Sequence, residues 1–537
     1  MTANGGDTAW VLAATALVML MTPGLAFFYA GMVRAKSVLN MLMMNLVCLV
    51  VVGLTWALVG FDFTFGDDGV RGLVGGVQAA GEHWSATALV GSPGPGEAWP
   101  GTHAIPVLAF AMFQLMFAVI TPALISGAVA ERVRFWPWVV FVALWSVLVY
   151  APIGHWVFAF DGVLGPGSVG GWIANRVRAV DFAGGTVVHM NAGAAALALA
   201  IVLGRRRGWP GVVARPHNLP FTVLGAALLW FGWYGFNAGS ALSANGTAAL
   251  AFANTTVATC AAVLAWLVVE QLRTGRPTTL GAASGAVAGL VAITPACGFV
   301  DLWGAIAIGL LAGVICPLAC ALKWRLQLDD SLDVVAIHLV GGLIGTLAVG
   351  VFASTAVNPA LPADGLVYGG GPAQLVRQAI AAGAVFGYSF LATLVLGYLI
   401  RATIGLRVRP EVEDGGLDLH EHAETAYDVG AARASTLRGE ERSAPSLWTA
   451  PSPQPALSAQ PAPSAQAAPP VPAAPAGQPR VPAPRVRPEP QGPIRVPPPG
   501  RHSAGGDFGG EPGHGPDRGS GRPGPARSVP APRRENQ

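Results

Sequence analysis

Charge is what this chain has least of. Asp, Glu, Lys and Arg make up 11% of its 537 residues against 53% hydrophobic residues, and the mean hydropathy is +0.51. Such a composition cannot clothe a folded surface of this size for water, which excludes a soluble protein and leaves an integral membrane protein. The formal net charge of +3 hides an arginine-rich region after about residue 430; the apolar body is slightly acidic, with no footprint for nucleic acid. Cysteine is scarce as well. Cys48, Cys260, Cys297, Cys316 and Cys320 lie in apolar stretches without the pattern of a disulfide framework or neighbouring histidines for zinc. Cys316 and Cys320 share a helix face, too little for a metal site, and all five read as small buried side chains. No cofactor motif is present. The amino terminus lacks the basic stretch of a secretory signal, so its apolar run reads as a retained first helix.

Long apolar runs are what the chain has in abundance. At about 20 residues for each crossing of roughly 30 Å of hydrocarbon, the pattern predicts an all-α polytopic membrane protein of eleven transmembrane helices. They fall near 9–33, 38–61, 104–130, 135–158, 182–204, 219–239, 247–271, 279–296, 302–322, 334–354 and 374–404, the eighth being the shortest. Arg34, Lys36, Arg132, Arg134, Arg205, Arg206, Arg207, Arg215, Arg273, Arg276, Lys323, Arg325, Arg401, Arg407 and Arg409 occupy alternate connections; the other side holds Arg71, Arg176, Arg178 and Arg377. Basic loops stay cytoplasmic, so the amino end is predicted outside the cell membrane and the carboxyl end inside.

An odd helix count with termini on opposite sides suits a five-plus-five inverted repeat followed by one extra helix. "DFAGGTVVH" opens the fifth span from one side and "DVVAIH" opens the tenth from the other. Gly281, Gly285 and Gly289, four residues apart, predict close helix approach, and "GGLIGTLAVG" repeats the feature less regularly. Beyond Tyr427 the periodicity stops, and 25 of the chain's 44 prolines follow. Residues 1–409 are therefore assigned to the transmembrane domain, 410–430 to a cytoplasmic segment and 431–537 to a disordered tail of polyproline II character. Contact of its arginines with the anionic inner leaflet is an alternative to a solvated linker.

Ionisable groups inside such helices are costly to keep and so point to function, the bland alternative being an imidazole bonded to a backbone carbonyl. Asp181 reads as the N-cap of the fifth helix, with His189 about 12 Å deeper. Asp333 reads as the start of the tenth helix, with His338 about 7.5 Å further in from the opposite side. Two imidazoles meeting in an apolar tunnel form a donor–acceptor line able to strip, relay or accept a proton. A weak-acid cation such as ammonium loses its proton more cheaply than it crosses intact. Aromatic faces suit recognition of the dehydrating cation. Phe113 and Phe117 lie one turn apart in "FQLMFAVIT", and "WFGWYGFNAGS" supplies Trp230, Trp233, Phe236, Asn237 and Ser240. Trp156, Phe158 and Phe160 read partly as an interfacial belt.

At these residues the chain resembles the ammonium transporter family (Amt/Mep, related to Rhesus proteins). The likeness runs from "GDTAWVLAATALVMLMTPGLAFFYAGMVRAKS" through "DFAGGTVVH", "WFGWYGFNAGS", "ITPACGFV" and "DVVAIHLVGG" to "GGLDLHEHAETAY". It implies a homotrimer of eleven-helix protomers, each with its own pore. It also implies ammonium recruitment at an outer aromatic site and passage of ammonia, with a separately relayed proton, through a twin-histidine tunnel. On the matching positions, Phe117 and Phe236 resemble the gate, and His189 and His338 the twin histidines. Phe113, Ser240 and Asp181 resemble recruitment residues; Trp233 and, more weakly, Thr294 resemble pore-lining residues.

Phe158 stands where the family usually has tryptophan, which predicts weaker recruitment, partly offset by Asp161. The segment 410–430 resembles the family's regulatory tail, whose partner is a PII-type trimeric signal protein; Ala423 stands where glycine is usual. An ammonium-sensing receptor on the same scaffold and an electroneutral ammonia channel are the alternative readings. Beyond substrate, bilayer, trimer mates and PII protein no partner is implied, and no enzymatic activity, cofactor or metal.

Overall fold

The computed structural model describes residues 3–76, 88–90, 105–165, 167–211 and 215–427. The Pro-rich tail assigned to 431–537 lies outside the described residues. Ten helices are long and apolar enough to cross a membrane: α1 (Gly5–Met32), α2 (Val38–Phe65), α3 (Val107–Ile125), α4 (Phe135–Phe158), α5 (Gly185–Leu203), α6 (Leu219–Gly239), α7 (Gly246–Thr274), α9 (Leu302–Leu326), α10 (Val335–Phe352) and α11 (Ala373–Thr403). Between them lies the shorter α8 (Thr279–Ile293). The chain is thus a multi-pass membrane protein, with eleven apolar helices and, for β structure, isolated bridges alone among the described residues.

Side-chain caps open many of these helices. Asn4, Asn218, Asn245, Thr278 and Asp301 each accept a hydrogen bond from an amide in the first turn of α1, α6, α7, α8 and α9. The brevity of α8 has a packing reason: most of its side chains are buried in protein, so its length is matched to neighbours and not to lipid. Its glycine stripe makes that approach possible. A β-carbon at Gly289 would stand 2.6 Å from Ala262 Cβ and 2.9 Å from Thr259 Cα, both on α7.

The internal repeat is visible in which helices touch. The neighbour pairs α1–α2, α1–α3, α2–α3, α2–α4, α3–α5 and α4–α5 recur, shifted by five, as α6–α7, α6–α8, α7–α8, α7–α9, α8–α10 and α9–α10. Each crossing reverses the chain direction, so a shift of five inverts the unit. The halves join where α1 packs along α6 and where α5 meets α10; α11 then braces α4, α5 and α10 from outside the repeat.

On the face opposite the α1 amino end, ionic groups fasten the loops. Arg132 is fully buried and donates to Asp329 Oδ2 at 2.8 Å, to Asp329 O at 2.6 Å and to Ala128 O at 2.9 Å. Arg206 reaches the same carboxylate at 2.8 Å, and Glu131 accepts from Arg34 at 2.7 Å. Two short helices, α12 (Pro410–Gly415) and α13 (Leu417–His422), dock on this surface. Asp418 Oδ1 accepts from Asn40 N at 2.8 Å and Glu421 Oε2 from Phe135 N at 2.9 Å, so this segment caps α2 and α4, which have no local side-chain caps. Ala423 takes the left-handed conformation, φ 57°, which a glycine adopts more cheaply by about 1–2 kcal/mol.

Candidate functional site

The two histidine-bearing helices begin alike. Residues Gly185–Met190 and Val335–Val340 form widened π turns, and His189 and His338 sit inside them. Asp181 was expected as the helix N-cap; it lies farther upstream, and Gly184, at φ +116°, stands directly before the first helical residue. The Asp181 carboxylate nevertheless satisfies the helix start from outside. Oδ1 accepts from the amides of Gly184 (2.8 Å) and Gly185 (2.7 Å), and Oδ2 from the amide and hydroxyl of Thr186 (2.7 and 2.5 Å). Because 181–184 is not helical, His189 lies only four residues into the helix, about 6 Å of rise. The residue before Asp181 is pinned to α11: Val180 N donates to Gln378 Oε1 at 2.8 Å, and Gln378 Nε2 donates to Val180 O at 2.7 Å.

For α10 the starting carboxylate is Asp330, not Asp333. Asp330 Oδ2 accepts from Val335 N at 2.7 Å, whereas Asp333 has φ 61° and pairs with Lys323 at 2.7 Å. Asp181 precedes His189 by eight residues, and Asp330 precedes His338 by the same number, so these two aspartates correspond in the repeat. Burial and the adjacent Asp333 push the Asp330 carboxyl up to about 6.

Glycine completes the symmetry. Gly193 and Gly342 each follow their histidine by one turn and each touch the opposite helix. A β-carbon at Gly193 would lie 2.4 Å from Leu339 N and 2.7 Å from Leu339 Cα; at Gly342 it would lie 2.8 Å from Gly185 O. Backbone contact of this kind brings the rings together. His189 Nδ1 and His338 Nδ1 are 3.3 Å apart, with ring centroids at 5.4 Å, and both residues are buried. Gly193→Ala is expected to force α5 and α10 apart, costing about 1–3 kcal/mol, with a lower thermal midpoint than wild type. Gly383→Ala on α11, where a β-carbon meets nothing within 4 Å, is the control, and equal midpoints for both variants would contradict the crossing argument.

A hydrogen bond between two Nδ1 atoms requires opposite tautomers. One ring carries its proton at Nδ1 and leaves Nε2 bare; the other is bare at Nδ1 and protonated at Nε2. Transfer of the shared proton by itself would leave an imidazolate beside an imidazolium, so reversing donor and acceptor also requires a proton taken up at the bare Nε2 and another released from the protonated Nε2. His189 Nε2 has no protein partner among the described residues.

Aromatic rings continue the line outward. His189 stacks against Phe236 (5.8 Å) and Trp233 (5.3 Å), Phe236 against Phe117 (4.3 Å), and Phe117 meets Phe113 edge-on (4.9 Å). Trp233 is held by its indole N–H, which donates to Thr294 Oγ1 at 2.9 Å, and Thr294 donates in turn to Asn237 at 3.2 Å. Thr294 therefore stands behind Trp233 and fixes its plane.

Above the Phe117 ring a vestibule of about 520 Å³ opens, lined among others by Phe158, Asp181 and Ser240. Its wall also includes Phe110, Gln114, Phe160, Phe182, Phe299 and Asn358, which sequence reasoning did not assign to the site. Gln114 and Phe110 precede Phe117 by three and seven residues, a helical-face spacing that could have flagged them; Asn358 sits in a loop with no periodic signal. Phe113, expected with the recruitment residues, is fully buried behind the wall and packs against Gly239. Trp156 points away, donating to Leu73 O at 2.7 Å, and the Asp161 carboxylate accepts from Gly170 N at 2.7 Å.

Comparison with known proteins matches this architecture. A profile described as the Ammonium Transporter Family aligns with residues 9–427. The chain belongs to the ammonium transporter family. It is 56% identical to an ammonium transporter of Mycobacterium tuberculosis strain H37Rv, covering 81% of this chain and 92% of the relative. It is 44% identical to the ammonium transporter Amt1 of Archaeoglobus fulgidus, covering 79% of this chain and all of that one. Among solved structures it is similar to a protein described as a sensor Amt protein (TM-score 0.68, 32% identity, 78% of this chain and 98% of that one). It is also similar to Mep2 of Saccharomyces cerevisiae (TM-score 0.66, 32% identity, 76% and 91%). As an ammonium transporter the chain moves ammonium or ammonia through a membrane; the ring file and paired imidazoles described above are its candidate route.

Proposed function

We propose that the protein recruits ammonium in the outer vestibule, removes its proton there, and conducts ammonia along the histidine pair while the proton travels separately over the imidazoles. The observation that carries this reading is the unbroken file Phe117, Phe236, His189, His338, which joins the vestibule to the buried Nδ1–Nδ1 contact. A bare cation in so apolar a passage loses hydration worth several kcal/mol or more, whereas neutral ammonia needs only one donor and one acceptor, which the two tautomers supply. The Asp181 carboxylate, held beneath the vestibule by amides, favours a cation above it. Phe158 and Ser240 complete recruitment with Phe113 packed behind the wall, Phe117 and Phe236 gate, and Trp233 with Thr294 behind it lines the pore.

The reading includes an outside amino terminus, a cytoplasmic carboxyl terminus, a homotrimer and a PII-type signal protein at the face carrying α12 and α13, where Ala423 alters the turn. Reconstituted protein on solid-supported membranes tests the core of it. Ammonium is expected to drive a charge displacement; radiolabelled flux without current would identify an electroneutral channel instead. Tight binding with neither flux nor current would favour a receptor, a reading to which the sensor among the similar structures lends weight.

Phe158→Trp is expected to strengthen recruitment. An indole face holds a cation better than a phenyl face by a fraction of the about 0.5–2 kcal/mol available, so half-saturation for ammonium should fall about two- to fivefold with the maximal current little changed. An unchanged half-saturation would remove Phe158 from the recruitment site.

A further inference from the structure

Where α4 begins and α11 ends, a second cavity of about 460 Å³ is walled by Arg134, Arg407, Arg409, Val412, His420 and Glu421. Three arginines and one glutamate thus line it. Glu421 already accepts the Phe135 amide at 2.9 Å. Arg407 is locked by Leu203 O, Arg205 O and Glu413 Oε2 at 2.7–2.8 Å, and Glu413 compensates its charge. Arg134 commits one nitrogen, to Ile404 O at 2.8 Å, and its other donors have no partner among the described residues. Arg409 is exposed, and its guanidinium has no hydrogen bond or ion pair among the described residues. His420 turns Nδ1 to Gly416 O at 2.9 Å, leaving Nε2 clear of that bond.

Two arginine forks with unused donors suit a multi-acceptor oxyanion, and a phosphate presents its oxygens tetrahedrally, whereas a carboxylate holds both of its in one plane. The cavity is many times larger than inorganic phosphate, leaving room for an attached group. Beside it Trp136 is 72% exposed on the first turn of α4, the kind of residue that marks headgroup depth in a bilayer. We propose that this cavity binds a phosphate group, supplied by an anionic lipid headgroup or by a soluble phosphate. Its occupancy clamps the segment carrying α12 and α13 onto α4 and α11, because the walls come from both. The proposal does not depend on the transport mechanism.

Hydrogen exchange across residues 410–422 of the full-length protein in phosphatidylcholine nanodiscs tests it, in two arms: addition of inorganic phosphate, and replacement of part of the lipid by phosphatidylglycerol. Slowing of exchange by about tenfold in either arm is expected, the responding arm identifying the source. Arg409→Gln, which breaks no side-chain hydrogen bond or ion pair among the described residues, should abolish most of the slowing, whereas Arg276→Gln, an exposed arginine on the α7–α8 connection, should retain it. No slowing in either arm, or equal loss in both variants, would overturn the proposal.

Discussion

Reconstituted protein carrying His189→Ala is expected to lose ammonium-dependent current by more than about tenfold, with its fold retained. The substitution removes one of two imidazoles whose Nδ1 atoms lie 3.3 Å apart, a ring stacked on both Phe236 and His338. Ammonia leaving the gate then meets no imidazole at that depth, and the proton relay loses one of its two sites. His338→Ala should do the same, and the double variant should be little worse than either single one, because the two rings act as a unit. Thermal midpoint and elution volume, compared with wild type, separate this outcome from misfolding. A wild-type current in folded His189→Ala protein would end the proposed mechanism and leave the family membership untouched.

Arg132→Met is expected to destabilise the protein by about 3–5 kcal/mol, the usual consequence of removing one partner of a buried ion pair. Asp329 is left facing Arg206 alone, the Asp329 carbonyl loses the guanidinium, and Ala128 O keeps only the Ser331 amide. Burial pulls the Arg132 pKa down to about 10, so it remains a cation at neutral pH. Burial also opposes ionisation of Asp329, but hydrogen bonds from Arg206 and the charges of Arg132 and Arg206 outweigh it and hold the carboxyl below its usual range. A depressed carboxylate pKa stabilises the fold above the unfolded-state value and ceases to do so as pH falls through the folded one. The wild-type midpoint should therefore drop on acidification below about pH 4 through this group. Asp329→Asn should lower the neutral-pH midpoint and flatten that acid limb. Midpoints of Arg132→Met and wild type within error of each other would refute the structural role.

Much of this site was legible in one dimension because membrane proteins make polar residues conspicuous. His189 and His338 stand out in runs of apolar residues, and Phe117, Phe236 and Trp233 fall on helical spacings next to small residues. Asp333 stands where the sequence puts it, at the start of the tenth helix, but the carboxylate that caps that helix belongs to Asp330, whose side chain reaches forward past a left-handed residue. Only the eight-residue interval shared with Asp181 could have revealed it. Thr294 and Phe113 likewise look like pore residues in sequence, and their actual places behind Trp233 and behind the vestibule wall depend on helix rotation, which periodicity alone leaves free.

By itself the sequence determined what hydrocarbon thickness and hydration energy impose: apolar segments long enough to cross, basic residues gathered in alternate loops, and two imidazoles made conspicuous by the cost of burying them. Tertiary structure decided what requires two backbones to meet. The crossing at Gly193 and Gly342, the facing Nδ1 nitrogens, the loop phenylalanines of the vestibule and the capping of α2 and α4 from residues more than 280 positions away all depend on contacts between distant segments. Such contacts are selected by packing, and a linear pattern carries no record of which faces packing brings together.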